Sequence, residues 1–232
     1  MNGSPKPHIV RNPAKRIGVV HPESCQADPV KDFQVYASGG DGGIIQFWYV
    51  GWWPSGQSII VAHQGTELNN TFAVLTDLAL LPVPLNPKLF PGAPLLATAH
   101  IGFQAAHART AEIVLKTVNT IIAEKGATKV VTVGHSLGGA LALLDGLYLR
   151  LNLPSQVDVS TRTLGQPRVG NDVFANFVDQ KLPDLVRISN KRDLVPVVPP
   201  DTQVEKNISM HKAPGMLVQV FALPDVNINI NA

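Results

Sequence analysis

The stretch KVVTVGHSLGGALALLDGLYL, residues 129–149, decides the fold. Its first part, Lys129–Val133, is a short apolar run that contains the β-branched residues VVTV, which is typical of a parallel strand buried on both faces. Its last part continues as an apolar run from Ser136 to about Leu151, which favours a buried helix. Between them, Gly134–Gly138 matches the pattern G-x-S-x-G, in which a serine occupies a tight turn from strand to helix.

The glycines of this pattern have a physical reason. A serine in such a turn takes a strained backbone conformation, and side chains two positions before and after it would collide with the turn. Gly139 and Ala140 keep the following helix thin where it crosses the sheet. The stretch therefore predicts that Ser136 is a nucleophile.

The segments around the motif alternate between helix and strand. The predicted elements are an amphipathic helix over Phe103–Glu124 ended by Gly126, a strand over Val157–Leu164, a helix over Asn171–Leu182 with Asn171 as its N-cap, and a strand over Leu185–Ser189. Such alternation predicts an α/β fold with a central, mostly parallel sheet, right-handed crossovers and helices on both faces.

The N-terminal half is organised differently. Residues 1–26 are rich in proline without periodicity and are interpreted as a loose lead-in to one domain over residues 27–232. Ile44–Val50 and Ser58–Val61 predict two strands joined by a turn as an antiparallel hairpin. Prolines over residues 81–94 exclude regular structure there.

Composition excludes several classes of protein. The 232 residues suffice for one domain, and the net charge of +2 without a basic run argues against nucleic-acid binding. No apolar stretch reaches the ~20 residues that span a bilayer. No secretory signal is visible, so the location is not predicted. Cys25 is the one cysteine, which excludes an internal disulfide, and no Cys/His spacing suggests a metal site. No cofactor is predicted.

A serine nucleophile needs a base and an acid, which in α/β-hydrolases follow the serine as acid and then histidine. His211 is the one histidine after Ser136. Among the intervening aspartates, Asp193 follows a predicted strand at its carboxyl end, where sites in open α/β sheets lie. Asp201, farther along the same loop, is the alternative acid. The predicted triad is therefore Ser136, Asp193 and His211.

The same chemistry requires two donors for the developing oxyanion. The N–H of Leu137, directly after the serine, is one of them by construction. The other should come from a loop after an earlier strand, and Gln64-Gly65-Thr66 is a candidate. The hydroxyl of Thr66 is a further candidate donor in that loop.

Several motifs in order resemble the fungal lipase class 3 family of triacylglycerol lipases, especially its basidiomycete members. They are GHSLGGA, GQPRVGN at residues 165–171, RISNKRDLVPVVPP at 187–200 and HQGTE at 63–67. The resemblance covers roughly Cys25–Pro200. It implies the α/β-hydrolase fold, Ser136 as nucleophile, Asp193 as acid, Thr66 and Leu137 as oxyanion-hole residues, and Asn69–Leu81 as a mobile apolar lid. An ordinary core-packed helix is the alternative for that segment.

The sequence departs from the family in two places. Secreted relatives carry a signal peptide and several disulfides, whereas this chain shows neither. After Pro200 the match fades, and a truncated C-terminus is one interpretation.

The resemblance implies a triacylglycerol lipase that acts through an acyl-enzyme at a lipid–water interface, with an acylglycerol or other lipid ester as substrate. The alternatives are an esterase on soluble esters, such as feruloylated sugars, and an inactive hydrolase-fold protein that binds lipid. The oligomeric state is not predicted.

Overall fold

The computed structural model of the protein describes residues 31–65, 81–189 and 195–197. Several sequence-predicted features lie outside these ranges: the lead-in of residues 1–26, Thr66, the lid segment except Leu81, Asp193, Asp201 and His211.

Twelve helices and strands follow in order through the described residues, together with a short 3-10 turn at Val195–Val197. They are β1 (Gln34–Gly39), β2 (Trp48–Trp53), β3 (Ser58–His63), β4 (Pro82–Pro84), β5 (Thr98–His100), α1 (Ile101–Ala108), α2 (Ala111–Lys125), β6 (Lys129–His135), α3 (Leu137–Asn152), β7 (Asp158–Leu164), α4 (Asp172–Lys181) and β8 (Leu185–Ile188).

The main sheet has six strands in the order β1-β2-β3-β6-β7-β8. Strands β1, β2 and β3 pair antiparallel, and β3, β6, β7 and β8 pair parallel. The predicted α/β fold, with a mostly parallel sheet and an N-terminal antiparallel hairpin, is therefore confirmed. Strands β4 and β5 form a separate antiparallel pair.

One face of the main sheet forms the core. Val50, Val61, Thr132 and Thr161 lie side by side across four strands, and all four are fully buried. Helix α3 covers this face, since the Thr132 hydroxyl donates to the carbonyl of Ala142 at 2.9 Å. On β6 the opposite face is only half-buried. That helices also cover this opposite face of the main sheet remains a prediction.

The predicted helix over Phe103–Glu124 is wrong as one element, because the structure contains two helices, α1 and α2. Between them the N–H groups of Arg109 and Thr110 donate to Ala106 and His107, which tightens the turn to three-residue spacing. The Thr110 hydroxyl also donates to the His107 carbonyl at 3.2 Å. The apolar period continues across this break, so periodicity alone does not show it. The predicted end at Gly126 is confirmed by its left-handed φ of 64°.

The N-terminal strands also differ from the prediction. β1 is not predicted, and the strand placed at Ile44–Val50 begins only at Trp48. The Asp41 carboxylate accepts hydrogen bonds from the N–H groups of Gly43 and Ile45 at 2.8 and 3.0 Å. This local turn holds the two isoleucines outside the strand, and Ile44 is 74% exposed.

The proline-rich segment contains a short strand, β4, contrary to the prediction. Both strands of a two-stranded pair are edges, so a proline can lie there without removing a ladder hydrogen bond. β4 is only three residues long and pairs Val83 with Ala99 of β5.

Candidate active site

Ser136 occupies the turn between β6 and α3, as the sequence predicts. Its φ of 54° and ψ of −126° lie in a region that non-glycine residues rarely adopt. The side chain is fully buried, and its Oγ has no hydrogen-bond partner among the described residues. A strained, buried serine at a strand-to-helix turn is the setting that the G-x-S-x-G pattern predicts for a nucleophile.

The flanking glycines are required by close backbone contacts. A Cβ on Gly134 would collide with the carbonyl oxygen of Gly138. A Cβ on Gly138 would collide with the carbonyl oxygen of His63 and lie 2.7 Å from the carbonyl carbon of Gln64. The end of β3 therefore packs directly on the first turn of α3.

Two neighbouring glycines give a testable contrast. Gly138→Ala should lower the free energy of unfolding by about 1–3 kcal/mol, because its Cβ meets backbone that cannot rotate away. At Gly139 the nearest atoms to a Cβ lie 3.3 Å away, so Gly139→Ala needs only a small shift and gains helix propensity. Urea denaturation of both variants measures the difference. Equal losses of stability would contradict the packing described here.

The predicted oxyanion-hole residues belong to the start of α3 and to the chain after β3. Leu137 is the first residue of α3, where a backbone N–H has no intrahelical acceptor and the helix dipole is positive. A Cβ on Gly65 would lie 2.5 Å from the His135 carbonyl oxygen and 3.2 Å from the Ser136 Cβ. The residue before Thr66 therefore contacts the serine turn. Thr66 itself lies outside the described residues, so its role stays a prediction.

The carboxyl ends of three parallel strands meet beside Ser136. The N–H of Ser136 donates to the carbonyl of Leu164, the last residue of β7, at 2.9 Å. Leu164 pairs in turn with Ile188, the last residue of β8. Asp193 follows the last residue of β8 by five positions in the sequence. Asp193 and His211 lie outside the described residues, so their roles stay predictions.

Asp184, which the sequence places before a strand, has a different role. Its carboxylate accepts hydrogen bonds from Arg162 at 2.8 and 2.9 Å and from Ser160 at 2.5 Å. Burial acts to raise the pKa of Asp184, but the hydrogen bonds from Arg162 and Ser160 hold it below its usual range. This network joins β7 to the turn before β8.

Sequence reasoning missed a buried charged cluster behind the serine turn. Asp145 of α3 lies between His63, the last residue of β3, and His107 of α1, and all three side chains are buried. The only sequence signal is an aspartate within an otherwise apolar helix, where a buried charge requires partners. Neither histidine is hydrogen-bonded to the Ser136 Oγ, so the cluster is not the triad.

The described ranges contain neither a candidate metal site nor a candidate membrane-spanning helix. Residues 31–65, 81–189 and 195–197 hold no group of three or more His, Cys, Asp or Glu that could bind a metal ion. None of the helices in this part of the chain is long and apolar enough to cross a membrane.

Comparison with known proteins agrees with this geometry. A family model for lipase (class 3) matches residues 60–203, more than half of the chain. The chain is 36% identical over 143 residues to a secreted mono- and diacylglycerol lipase of Malassezia globosa, covering 61% of this chain and 47% of that protein. It is 39% identical over 108 residues to a lipase of Rhizopus niveus, covering 46% of this chain and 28% of that protein. The chain thus spans less than half the length of these relatives.

Solved structures show the same fold. The triacylglyceride lipase of Rhizomucor miehei superposes with a TM-score of 0.63 at 29% identity, covering 73% of this chain and 62% of that one. Lipase II of Rhizopus niveus gives a TM-score of 0.65 at 28% identity, covering 74% and 62%.

Proposed function

Because the chain belongs to the class 3 lipase family, we propose that it is a serine carboxylic ester hydrolase that cleaves acylglycerol esters. The observation that carries this proposal is the strained, buried and unpartnered Ser136 at the start of α3. The relatives' names support the substrate class, since they include mono- and diacylglycerol lipases and a triacylglyceride lipase. We propose residues 27–232 as the hydrolase domain.

The proposed reaction has two halves. The Ser136 Oγ attacks the ester carbonyl carbon as His211 takes the hydroxyl proton, and Asp193 fixes the imidazole and stabilises its charged form. The carbonyl oxygen becomes an oxyanion, bound by the N–H of Leu137 and by Thr66. As the intermediate collapses, the carbon–oxygen bond breaks and His211 gives its proton to the departing alcohol. Water, deprotonated by His211, then releases the fatty acid from Ser136.

The apolar segment Asn69–Leu81 is proposed as a lid that opens at a lipid surface. Leu81, its last residue and the one that the structure describes, is 69% exposed. Opening an apolar face in water costs about 25 cal/mol for each Å² exposed, and a lipid surface removes that cost. The lid therefore makes the reaction sensitive to the physical state of the substrate.

The proposal is tested by raising the concentration of glyceryl tributyrate through its solubility limit. The rate should rise steeply once droplets form, while hydrolysis of soluble 4-nitrophenyl acetate remains hyperbolic. Esters of 4-nitrophenol with octanoate should be cleaved faster than acetate. Measuring initial rates in both series is sufficient.

The alternatives give different results in these experiments. A smooth hyperbola through the solubility limit, with acetate cleaved faster than octanoate, would favour an esterase on soluble esters such as feruloylated sugars. A folded chain that binds tributyrate droplets but cleaves no ester would be the inactive lipid-binding protein.

A further inference from the structure

The buried side chains of His63, Asp145 and His107 form one hydrogen-bonded cluster. The Nε2 atom of His63 lies 2.5 Å from one carboxylate oxygen of Asp145, and the Nε2 atom of His107 lies 3.0 Å from the other. An ionised carboxylate only accepts hydrogen bonds, so both ring nitrogens donate to it. Each oxygen of Asp145 thus binds a different element, β3 on one side and α1 on the other.

The charge of Asp145 is maintained by these contacts. Burial acts to raise the pKa of its carboxyl, but attraction to His63 and the hydrogen bonds from both histidines hold that pKa well below its usual range. His107 is held in turn by aromatic contacts, since its ring stacks on Phe90 at 5.6 Å and meets the edge of Tyr148 at 5.5 Å. The Asp145 carboxylate is therefore a fixed anchor inside the core.

His63 connects the Asp145 carboxylate to the segment that leads toward Ser136. His63 forms the last pair of β3 with β6, opposite Gly134, and the segment Gln64–Gly65 continues beyond that pair. Gly65 contacts the Ser136 turn, and Thr66 is the next residue. The parallel ladder that aligns β3 with the nucleophile strand therefore ends just where the proposed oxyanion loop begins.

Helix α3 holds the end of β3 at two levels. Gly138 contacts the His63 and Gln64 backbone, and Asp145 binds the His63 ring seven residues later, two turns along the same helix face. The contact at Gly138 is a steric limit, which prevents closer approach but not withdrawal. The bond from His63 to Asp145 is attractive, so it prevents withdrawal.

We infer that His63 and Asp145 are positioning residues, which hold the Gln64–Gly65 segment against the Ser136 turn so that the donors of the oxyanion hole stay aligned. This inference rests on the proposed ester hydrolysis. It follows from two observations: one helix carries both the nucleophile turn and the anchor, and the anchored residue directly precedes the segment that touches Ser136. Misalignment of such donors lowers kcat more strongly than it weakens substrate binding.

The test compares three variants on soluble 4-nitrophenyl butyrate. His63→Leu removes the donor and should lower kcat about 10- to 100-fold with KM changed less than about threefold. His63→Gln keeps an N–H donor that reaches the carboxylate, and it should recover kcat to within about threefold of wild type. Thr161→Val is the matched control, because it removes a buried hydrogen bond, 2.9 Å to Thr132, from the same face of the sheet. It should lower the melting temperature without lowering kcat.

A second readout isolates the oxyanion hole from the amount of folded enzyme. The thionoester of the same substrate has sulfur in place of the carbonyl oxygen, and sulfur is a larger and weaker hydrogen-bond acceptor. The ratio of the oxygen-ester rate to the thionoester rate therefore measures donor alignment and is independent of active-enzyme concentration. His63→Leu should lower this ratio about as much as it lowers kcat, whereas Thr161→Val should leave the ratio at the wild-type value.

The outcomes separate this inference from the proposed function. A wild-type chain that cleaves no ester would overturn both. An active wild type whose His63→Leu variant keeps kcat within about twofold, or keeps the rate ratio, would overturn the positioning role alone. If even His63→Gln fails to fold, the cluster serves stability and the inference is wrong.

Discussion

Replacing Ser136 with alanine should lower kcat for ester hydrolysis by about four to six orders of magnitude while the chain stays folded. The nucleophile is lost, but the Ser136 Oγ has no hydrogen-bond partner among the described residues, so no hydrogen bond within that part of the core is lost. The melting temperature should stay within a few degrees of the wild type. Initial rates on 4-nitrophenyl butyrate together with a thermal melt test both parts.

The contradicting outcome is simple to recognise. A folded Ser136→Ala variant that retains a tenth of the wild-type turnover would show that another group performs the attack. Gly139→Ala, three residues farther along α3, is the control for a small change in the same turn and should remain active.

His211→Ala should lower kcat to about the level of Ser136→Ala, and the double variant should be little worse than either. Members of a catalytic triad act as a unit, so their losses do not add. The prediction rests on exclusion, because His211 is the one histidine after Ser136 in the sequence. His63 and His107 of the core are bonded to Asp145 and make no bond to Ser136.

The two candidate acids provide the matched comparison. Asp193→Asn should lower kcat about 10⁴-fold, because the His211 imidazole would lose the carboxylate that fixes its tautomer. Asp201→Asn should have little effect on kcat. The reverse order would move the acid to Asp201. A nearly silent His211→Ala change in an active enzyme would contradict the triad itself.

The strand–turn–helix around Ser136 was predictable because its signals are local. Lys129–Val133 and the apolar run after Ser136 lie next to each other, and the structure places β6 and α3 within two residues of the expected bounds. The parallel order of β6, β7 and β8 follows from the alternation of strands and helices. The signal for Asn171 as an N-cap is also local. The structure confirms this prediction, since the Asn171 side chain accepts a hydrogen bond from the Phe174 N–H at 2.9 Å.

Features that depend on distant contacts were not predictable. Asp145 binds histidines that lie 82 and 38 residues away, so its own neighbourhood in the sequence does not show which residues are its partners. The break between α1 and α2 depends on one tight turn at Thr110, which the apolar period does not reveal. Strand β4 exists only because β5 pairs with it 16 residues later in the chain, at Val83 and Ala99.

The central claim is that Ser136 is the nucleophile of an ester hydrolase. The most direct test is to treat the full chain with a fluorophosphonate and to locate the adduct by peptide mass spectrometry. We predict stoichiometric labelling at Ser136, blocked by prior incubation with butyrate ester substrate and absent from Ser136→Ala. A folded wild-type chain that stays unlabelled, or an adduct on any other residue, would contradict the claim.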